Sequence, residues 1–197
     1  MSNLCRKVST SSKRACLIAA GVAFLAISGT GMLPASASTP APVSSGHHLP
    51  LPSGIAYLPA IVNLQPTLSG TWVKTGLQVT LPVAGTYALD VNVRSVLAAT
   101  PPSNPYMVAR LWNVTSGTAV PRSERILNQV YDLTPTGAGP IGQNVTTPIS
   151  ELVTVAGPTT IQLQARRINA PGASGSTRAE IYSDGNGRTS FRYNKIS

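Results

Sequence analysis

Residues 76–97 read GLQVTLPVAGTYALDVNVRSVL. The second half alternates strictly, and its large apolar residues share one face: Tyr87, Leu89, Val91 and Val93. A period of two over eight residues is typical of a β-strand with one buried face. Apolar residues at 77, 79 and 81 show the same period before a Pro/Gly turn. The stretch therefore predicts a strand, a turn and a second, longer strand.

Strand-like runs separated by turn signals continue to the end of the chain, at residues 106–114, 125–132, 145–155, 160–168, 178–183 and 188–196. Residues 55–64 are apolar but contain Pro59, which favours an edge strand or a segment packed over the sheet. Two hairpins are predicted, one around residues 156–158 and one around Asp184-Gly-Asn-Gly187. With no helical period and no βαβ rhythm, the pattern predicts an all-β, antiparallel jelly-roll sandwich of about eight to ten strands.

The first 37 residues have the layout of a secretory signal peptide. A basic start precedes an unbroken apolar run at residues 15–27, and small residues end in Ala35-Ser36-Ala37, which predicts cleavage before Ser38. The run is shorter than the roughly 20 residues that a membrane anchor needs. The sequence thus predicts a secreted, extracellular or cell-surface protein with no membrane span after cleavage. The Ala/Gly-rich style of the signal is typical of bacteria.

Residues 38–65, rich in Pro and Ser, are predicted to be a mobile leader, and residues 66–197 to form the domain. Both cysteines, Cys5 and Cys16, leave with the signal peptide. Eleven basic and six acidic residues remain, a net charge of +5. No basic run is longer than Arg166-Arg167, so the sequence predicts no nucleic-acid partner.

Histidine and cysteine are both missing from residues 66–197. The two histidines, His47 and His48, lie in the leader, which excludes Ser-His-Asp and Cys-His machinery and most zinc sites from the domain. Asp184-Gly-Asn-Gly187 offers few of the six to eight oxygens that calcium takes, so a hairpin turn is the better interpretation. We predict no enzyme activity, no cofactor and no metal.

Two charged residues fall on faces that the alternation assigns to the core. Glu151 shares parity with Val153 and Val155, and Arg167 shares parity with Leu163 on the next run. If these two runs form a hairpin, Glu151 and Arg167 become diagonal neighbours and form an ion pair. The alternative is that either side chain emerges at a bulge or a strand end.

Two groups of side chains have both a structural and a functional interpretation. Trp72, Trp112 and Tyr106 either pack in the core or form platforms for sugar stacking. The other group is either a solvated face or an anion-attracting surface, and it comprises Arg122, Arg125, Arg166, Arg178, Arg188 and Arg192.

Residues 81–94 (LPVAGTYALDVNVR) resemble the second-strand signature of complement-subcomponent and tumour-necrosis-factor-like jelly rolls. Residues 184–196 (DGNGRTSFRYNKI) are similar to the last hairpin of bacterial and phage domains of that type. The resemblance covers residues 66–197 and implies a ten-strand jelly roll, usually a homotrimer, used for binding or structure. No collagen-like stalk precedes the domain, and no site residue of the family maps onto it.

Together these observations predict a secreted, non-enzymatic binding or structural protein of the bacterial surface or extracellular space. The resemblance implies a homotrimer, and its ligand is expected to be a glycan or a protein. The alternative is a monomeric carbohydrate-binding β-sandwich.

Overall fold

The computed structural model describes residues 50–135 and 139–197. In those ranges the chain is all-β and contains no helix. The strands are β1 (Ser53–Tyr57), β2 (Val62–Asn63), β3 (Val73–Leu81), β4 (Gly85–Ala99), β5 (Pro105–Asn113), β6 (Thr118–Ala119), β7 (Arg125–Gln129), β8 (Ile141–Val155), β9 (Thr159–Asn169), β10 (Ser176–Ile181), β11 (Ser183–Asp184), β12 (Gly187–Arg188) and β13 (Ser190–Lys195). All named pairings are antiparallel.

The first sheet is built on β4. β8 pairs with β4 along its whole length, from Gly85↔Val155 to Ala99↔Ile141. β13 and β10 therefore lie end to end on the other side of β4, and β1 and β2 pair with them in turn. In the second sheet the order is β3-β9-β5, and β7 and β6 lie end to end along β5.

The strand order shows how the chain winds. Strands that lie end to end form one row, and the rows are numbered in chain order. Rows 1 to 8 are β1 with β2, β3, β4, β5, β6 with β7, β8, β9, and β10 with β13. The first sheet then has the row order 1-8-3-6 and the second has the row order 2-7-4-5. Rows 4 and 5, 3 and 6, 2 and 7, and 1 and 8 are thus neighbours, as in one long hairpin wrapped around a core. This is the winding of a jelly roll, and the predicted fold class is confirmed.

The inward face of β4 fills the core as its alternation predicts. Tyr87, Leu89, Val91 and Val93 are at most 1% exposed, and the odd-numbered residues 77, 79 and 81 of β3 are buried opposite them. The hydroxyl of Tyr87 donates to the carbonyl of Val83 at 2.9 Å. The buried ring thereby holds the Pro/Gly turn that leads into β4.

The domain begins earlier than predicted. β1 is an edge strand, as Pro59 suggests, but it pairs with β13 and belongs to the sheet. Leu58 is 1% exposed and Leu64 is fully buried in the core. The predicted leader at 38–65 is therefore too long, because it includes the apolar segment 55–64, whose leucines pack in the core.

Neither predicted hairpin forms as expected. β8 belongs to the first sheet and β9 to the second, so residues 156–158 carry the chain across the sandwich. β10 and β13 run along β4 one after the other, and only β11 and β12 pair around the Asp-Gly-Asn-Gly turn. A turn signal marks where the chain reverses, whereas the 15-residue β4 decides which strands pair with it.

Arg94 binds the segment between β10 and β13, which contains β11 and β12, to the first sheet. Its guanidinium donates to Asp184 Oδ1 at 2.8 Å and to the carbonyl of Gly187. Its backbone carbonyl accepts from the Tyr182 amide at 2.8 Å, and its amide donates to Thr189 Oγ1 at 3.0 Å. The turn is thereby tied to the gap that β10 and β13 leave along β4.

Candidate functional site

The outward face of the second sheet carries an unusual row of side chains. On β5, Ala109 and Leu111 point into the core, so Arg110 and Trp112 point outward and are half-buried. On the neighbouring β9, Arg166 shares the outward parity of Gln162 and Gln164. Trp72 immediately precedes β3, the strand on the other side of β9.

These side chains stack on one another. The guanidinium carbon of Arg110 lies 4.0 Å from the ring centroid of Trp72 and 4.5 Å from that of Trp112. The guanidinium carbon of Arg166 lies 4.3 Å from the Trp72 ring. We call Trp72, Arg110, Trp112 and Arg166 the Trp–Arg ladder. Each cation–π contact contributes about 0.5–2 kcal/mol, so the ladder is held rigidly.

Hydrogen bonds fix the two guanidinium groups. Arg110 donates from Nε and Nη2 to Gln164 Oε1 at 3.0 and 2.9 Å, and Arg166 Nη2 donates to Glu124 Oε1 at 2.6 Å. Burial lowers the pKa of Arg110, the charge of Glu124 raises it, and the charge of Arg166 lowers it again. Burial is therefore the main cause of the lowered pKa, and at Arg110 the charge of Glu124 outweighs that of Arg166.

Two polar atoms near the ladder are buried without a hydrogen-bond partner in the described part of the chain. They are Gln162 Oε1 and Arg166 Nε. Gln162 is 8% exposed and stands in register with Trp112 on β5. Because most buried polar atoms are hydrogen-bonded, an unused acceptor and an unused donor beside one aromatic platform suggest a binding surface.

The sequence leaves open whether the three aromatic residues pack in the core or form surface platforms, and the structure places them on the surface. Trp72 and Trp112 lie outside the core, and Tyr106 shares their outward orientation at the far end of β5. Sequence reasoning missed Arg110, Gln162 and Gln164. The sequence signal that identifies them is alternation, because each one follows a core residue on a central strand and must therefore face outward.

A second feature is an open cleft of about 510 Å³ between β4, β8 and the loop before β7. Glu151 faces inward at the sheet edge, and its Oε1 accepts from Arg125 Nη2 at 2.8 Å. Arg122, also in the lining, has a positive φ of 61°. This ion pair links the two sheets where the sandwich opens.

The predicted ion pair between Glu151 and Arg167 does not form. Arg167 Nε donates to the carbonyl of Leu64 at 3.0 Å, and Nη2 donates to those of Gln65 and Thr67 at 3.1 and 2.6 Å. The pairing assumed a β8–β9 hairpin, and these strands lie in different sheets. Arg167 instead clamps the turn after β2.

Three of the six arginines of the predicted surface are paired. Arg125, Arg166 and Arg178 make ion pairs with Glu151, Glu124 and Glu180. This favours the interpretation as a solvated, salt-bridged face for Arg125 and Arg178, whereas Arg166 also belongs to the Trp–Arg ladder. In the Asp-Gly-Asn-Gly turn the carboxylate of Asp184 is bonded to Arg94 and to the Asn186 amide.

Ala35, Ala37, Ser38, His47 and His48 lie outside the described residues. Across the two described ranges, no helix is long and apolar enough to span a membrane. Groups of three or more His, Cys, Asp or Glu side chains that would suit a metal ion do not occur in residues 50–135 and 139–197.

No protein-family model and no curated protein matches the chain. Among solved structures it is similar to a VP2 mutant of infectious bursal disease virus in derived T=1 particles, at 12% identity and a TM-score of 0.42, covering 72% of this chain and 31% of that chain. It is also similar to the structure of the Gx strain of that virus, at 15% identity and a TM-score of 0.35, covering 74% and 37%. A third is the T13 particle of the virus, at 12% identity and a TM-score of 0.38, covering 74% and 36%. The chain thus spans only about a third of the chains it matches.

Proposed function

We propose that the protein is a secreted, non-enzymatic binding protein of the bacterial surface or extracellular space, and that the Trp–Arg ladder binds carbohydrate. The observation that carries the proposal is the position of Trp72 and Trp112 on the outward face of a sheet and not in the core. Trp72 is stacked against Arg110 and Arg166, whereas Trp112 contacts Arg110 alone, so Trp112 is the ring that offers flat apolar surface to the C–H face of a sugar.

The rigidity of the ladder favours binding. Arg110 is stacked between two indoles and bonded to Gln164, so the rings are ordered before a ligand arrives. A preorganised site avoids much of the entropy cost of binding. The central strands β9 and β5 hold it more firmly than a loop does.

Binding is tested by isothermal titration of the purified secreted protein with a panel of soluble polysaccharides. Trp112→Ala is expected to weaken binding at least tenfold, whereas Tyr57→Ala, which removes an aromatic 51% exposed on the other sheet, leaves it unchanged. Thermal melts establish that both variants are folded. If no polysaccharide binds, or if the two variants behave alike, the ladder is not a carbohydrate site.

Secretion rests on the signal sequence. Mass spectrometry of the protein from culture medium is expected to find a chain that starts at Ser38. Intact protein retained in the cell, with residues 1–37 attached, would contradict this.

The second part of the proposal is that the protein acts as an oligomer. Among the residues that the structure describes, β8 pairs with β4 on one side only, and Leu152 on its outward face is 67% exposed. An open strand edge with exposed apolar side chains is often covered by another subunit. The complement/tumour-necrosis-factor resemblance supports a homotrimer in particular. Light scattering of the purified protein measures the subunit number, and a monomer at micromolar concentration would overturn the proposal.

A further inference from the structure

We infer that the ligand of the Trp–Arg ladder is an acidic polysaccharide, a sugar polymer that carries carboxylate or sulfate groups. This rests on the proposed carbohydrate-binding function and specifies its ligand class. Three observations support it: the charge of the face, the free bonding capacity of Arg110, and the two unpartnered atoms beside the ladder.

The outward face of the second sheet has an excess of cations around the ladder. Arg110, Arg166 and the exposed Lys74 on β3 stand against Glu124. Glu124 pairs with Arg166 and has a half-exposed side chain, so it leaves Arg110 and Lys74 without a hydrogen-bonded carboxylate in the described ranges. A face of this kind attracts anionic polymers more strongly than neutral ones.

Arg110 is the central group of this argument. Its Nε and Nη2 atoms bond to the neutral amide oxygen of Gln164, and its plane is covered by two indoles. A partly buried guanidinium with a neutral partner retains its full charge, and desolvation makes an incoming anion more favourable than in water. Its Nη1 atom makes no hydrogen bond within the described ranges, and a guanidinium N–H is suited to carboxylate and sulfate oxygens.

The unpartnered atoms favour a ligand that carries both hydrogen-bond donors and acceptors. Gln162 Oε1 is an unused acceptor and needs a hydroxyl donor, whereas Arg166 Nε is an unused donor and needs an oxygen. Gln162 is 92% buried, since its exposed fraction is 8%. An acidic sugar supplies hydroxyl donors, oxygen acceptors and an anionic group within one ring, and its C–H face stacks on an indole.

Intrinsic fluorescence gives a direct test because the chain has two tryptophans and both belong to the ladder. We would titrate the secreted protein with polygalacturonate, dextran sulfate and neutral dextran of matched length. The two acidic polymers are expected to shift the emission and to bind at least tenfold more tightly than dextran. Salt at 500 mM should weaken this binding, because it shortens the Debye length to roughly 4 Å.

Two charge-removing variants locate the site. Arg110→Gln should weaken binding of both acidic polymers at least tenfold. Arg192→Gln, which removes an exposed charge from the outward face of the first sheet, should change it less than twofold. If Arg110→Gln melts at a much lower temperature than the natural protein, Arg166→Gln replaces it as the test variant. Arg166→Gln should also weaken binding of both acidic polymers.

The outcomes separate this inference from the proposed function. If dextran binds as tightly as the acidic polymers and only Trp112→Ala weakens it, the acidic class is wrong and carbohydrate binding stands. Equal losses in Arg110→Gln and Arg192→Gln would show attraction by overall charge and overturn the inference. If none of the polymers shifts the emission or binds, both proposals fail.

Discussion

Replacing Gly85 with alanine tests the turn that opens the fold-determining strand. Gly85 has a φ of 143°, in the region that favours glycine. A Cβ atom there would lie 2.2 Å from Lys195 Cε and 2.3 Å from the backbone oxygen of Ser197. The lysine side chain can swing away. The backbone oxygen cannot move without displacing the end of the chain.

The expected cost follows from what that displacement breaks. The Thr86 amide donates to the Ser197 carbonyl at 2.9 Å, and the Ile196 amide donates to the Thr86 carbonyl at 2.8 Å. Losing the two bonds costs about 2 kcal/mol at roughly 1 kcal/mol each. Backbone strain at a positive φ adds about 1–3 kcal/mol. A total of about 3–5 kcal/mol is a large share of the roughly 5–15 kcal/mol by which domains are stable.

Urea unfolding followed by intrinsic fluorescence measures the free energy of unfolding. Gly157→Ala is the matched control, because no atom lies within 4 Å of its added Cβ and its φ is not in the left-handed region. It should change stability by about 0.5 kcal/mol or less, or increase it slightly. In thermal melts Gly85→Ala should unfold roughly 10 °C lower, at about 2–4 °C per kcal/mol. If the two variants differ by less than 1 kcal/mol, the close approach does not constrain the turn.

Two further predictions concern the charged clamps. Arg167→Met should lower the free energy of unfolding by about 3 kcal/mol, because three hydrogen bonds from a charged group to carbonyls are lost. Arg167→Lys should recover part of that free energy. If urea titration finds that Arg167→Met lowers the free energy of unfolding by less than about 0.5 kcal/mol, Arg167 does not hold the turn after β2. The hydrogen bond from Arg94 lowers the pKa of Asp184 below 3.8, so its stabilising effect is present above that pH and is lost as the pH falls through the folded pKa. The urea midpoint of Asp184→Asn should therefore lie below that of the natural protein at pH 7 and approach it at pH 2.5, and a gap independent of pH would refute this.

Alternation in the sequence predicts faces reliably but does not predict partners. The inward set of β4 is buried as expected, and Glu151 does face inward. Its partner is Arg125 and not Arg167, because β8 matches the 15-residue length of β4 and joins the first sheet. Which strand lies opposite an inward-facing charge depends on the winding of the whole chain, which local periodicity does not contain.

In the candidate site, alternation also predicts which face of a strand a side chain occupies, here the outward face of β5. Trp112 is assigned to the core when judged by residue type, since aromatics are usually buried, but β5 alternates Ala109-Arg110-Leu111-Trp112. In a two-layer sandwich a central strand has one inward face, so a tryptophan that shares parity with an arginine must share its surface. Parity thus outweighs residue type on such strands. It also explains why the ladder is rigid: the outward face of a central strand is solvent-facing, yet its backbone is hydrogen-bonded on both sides.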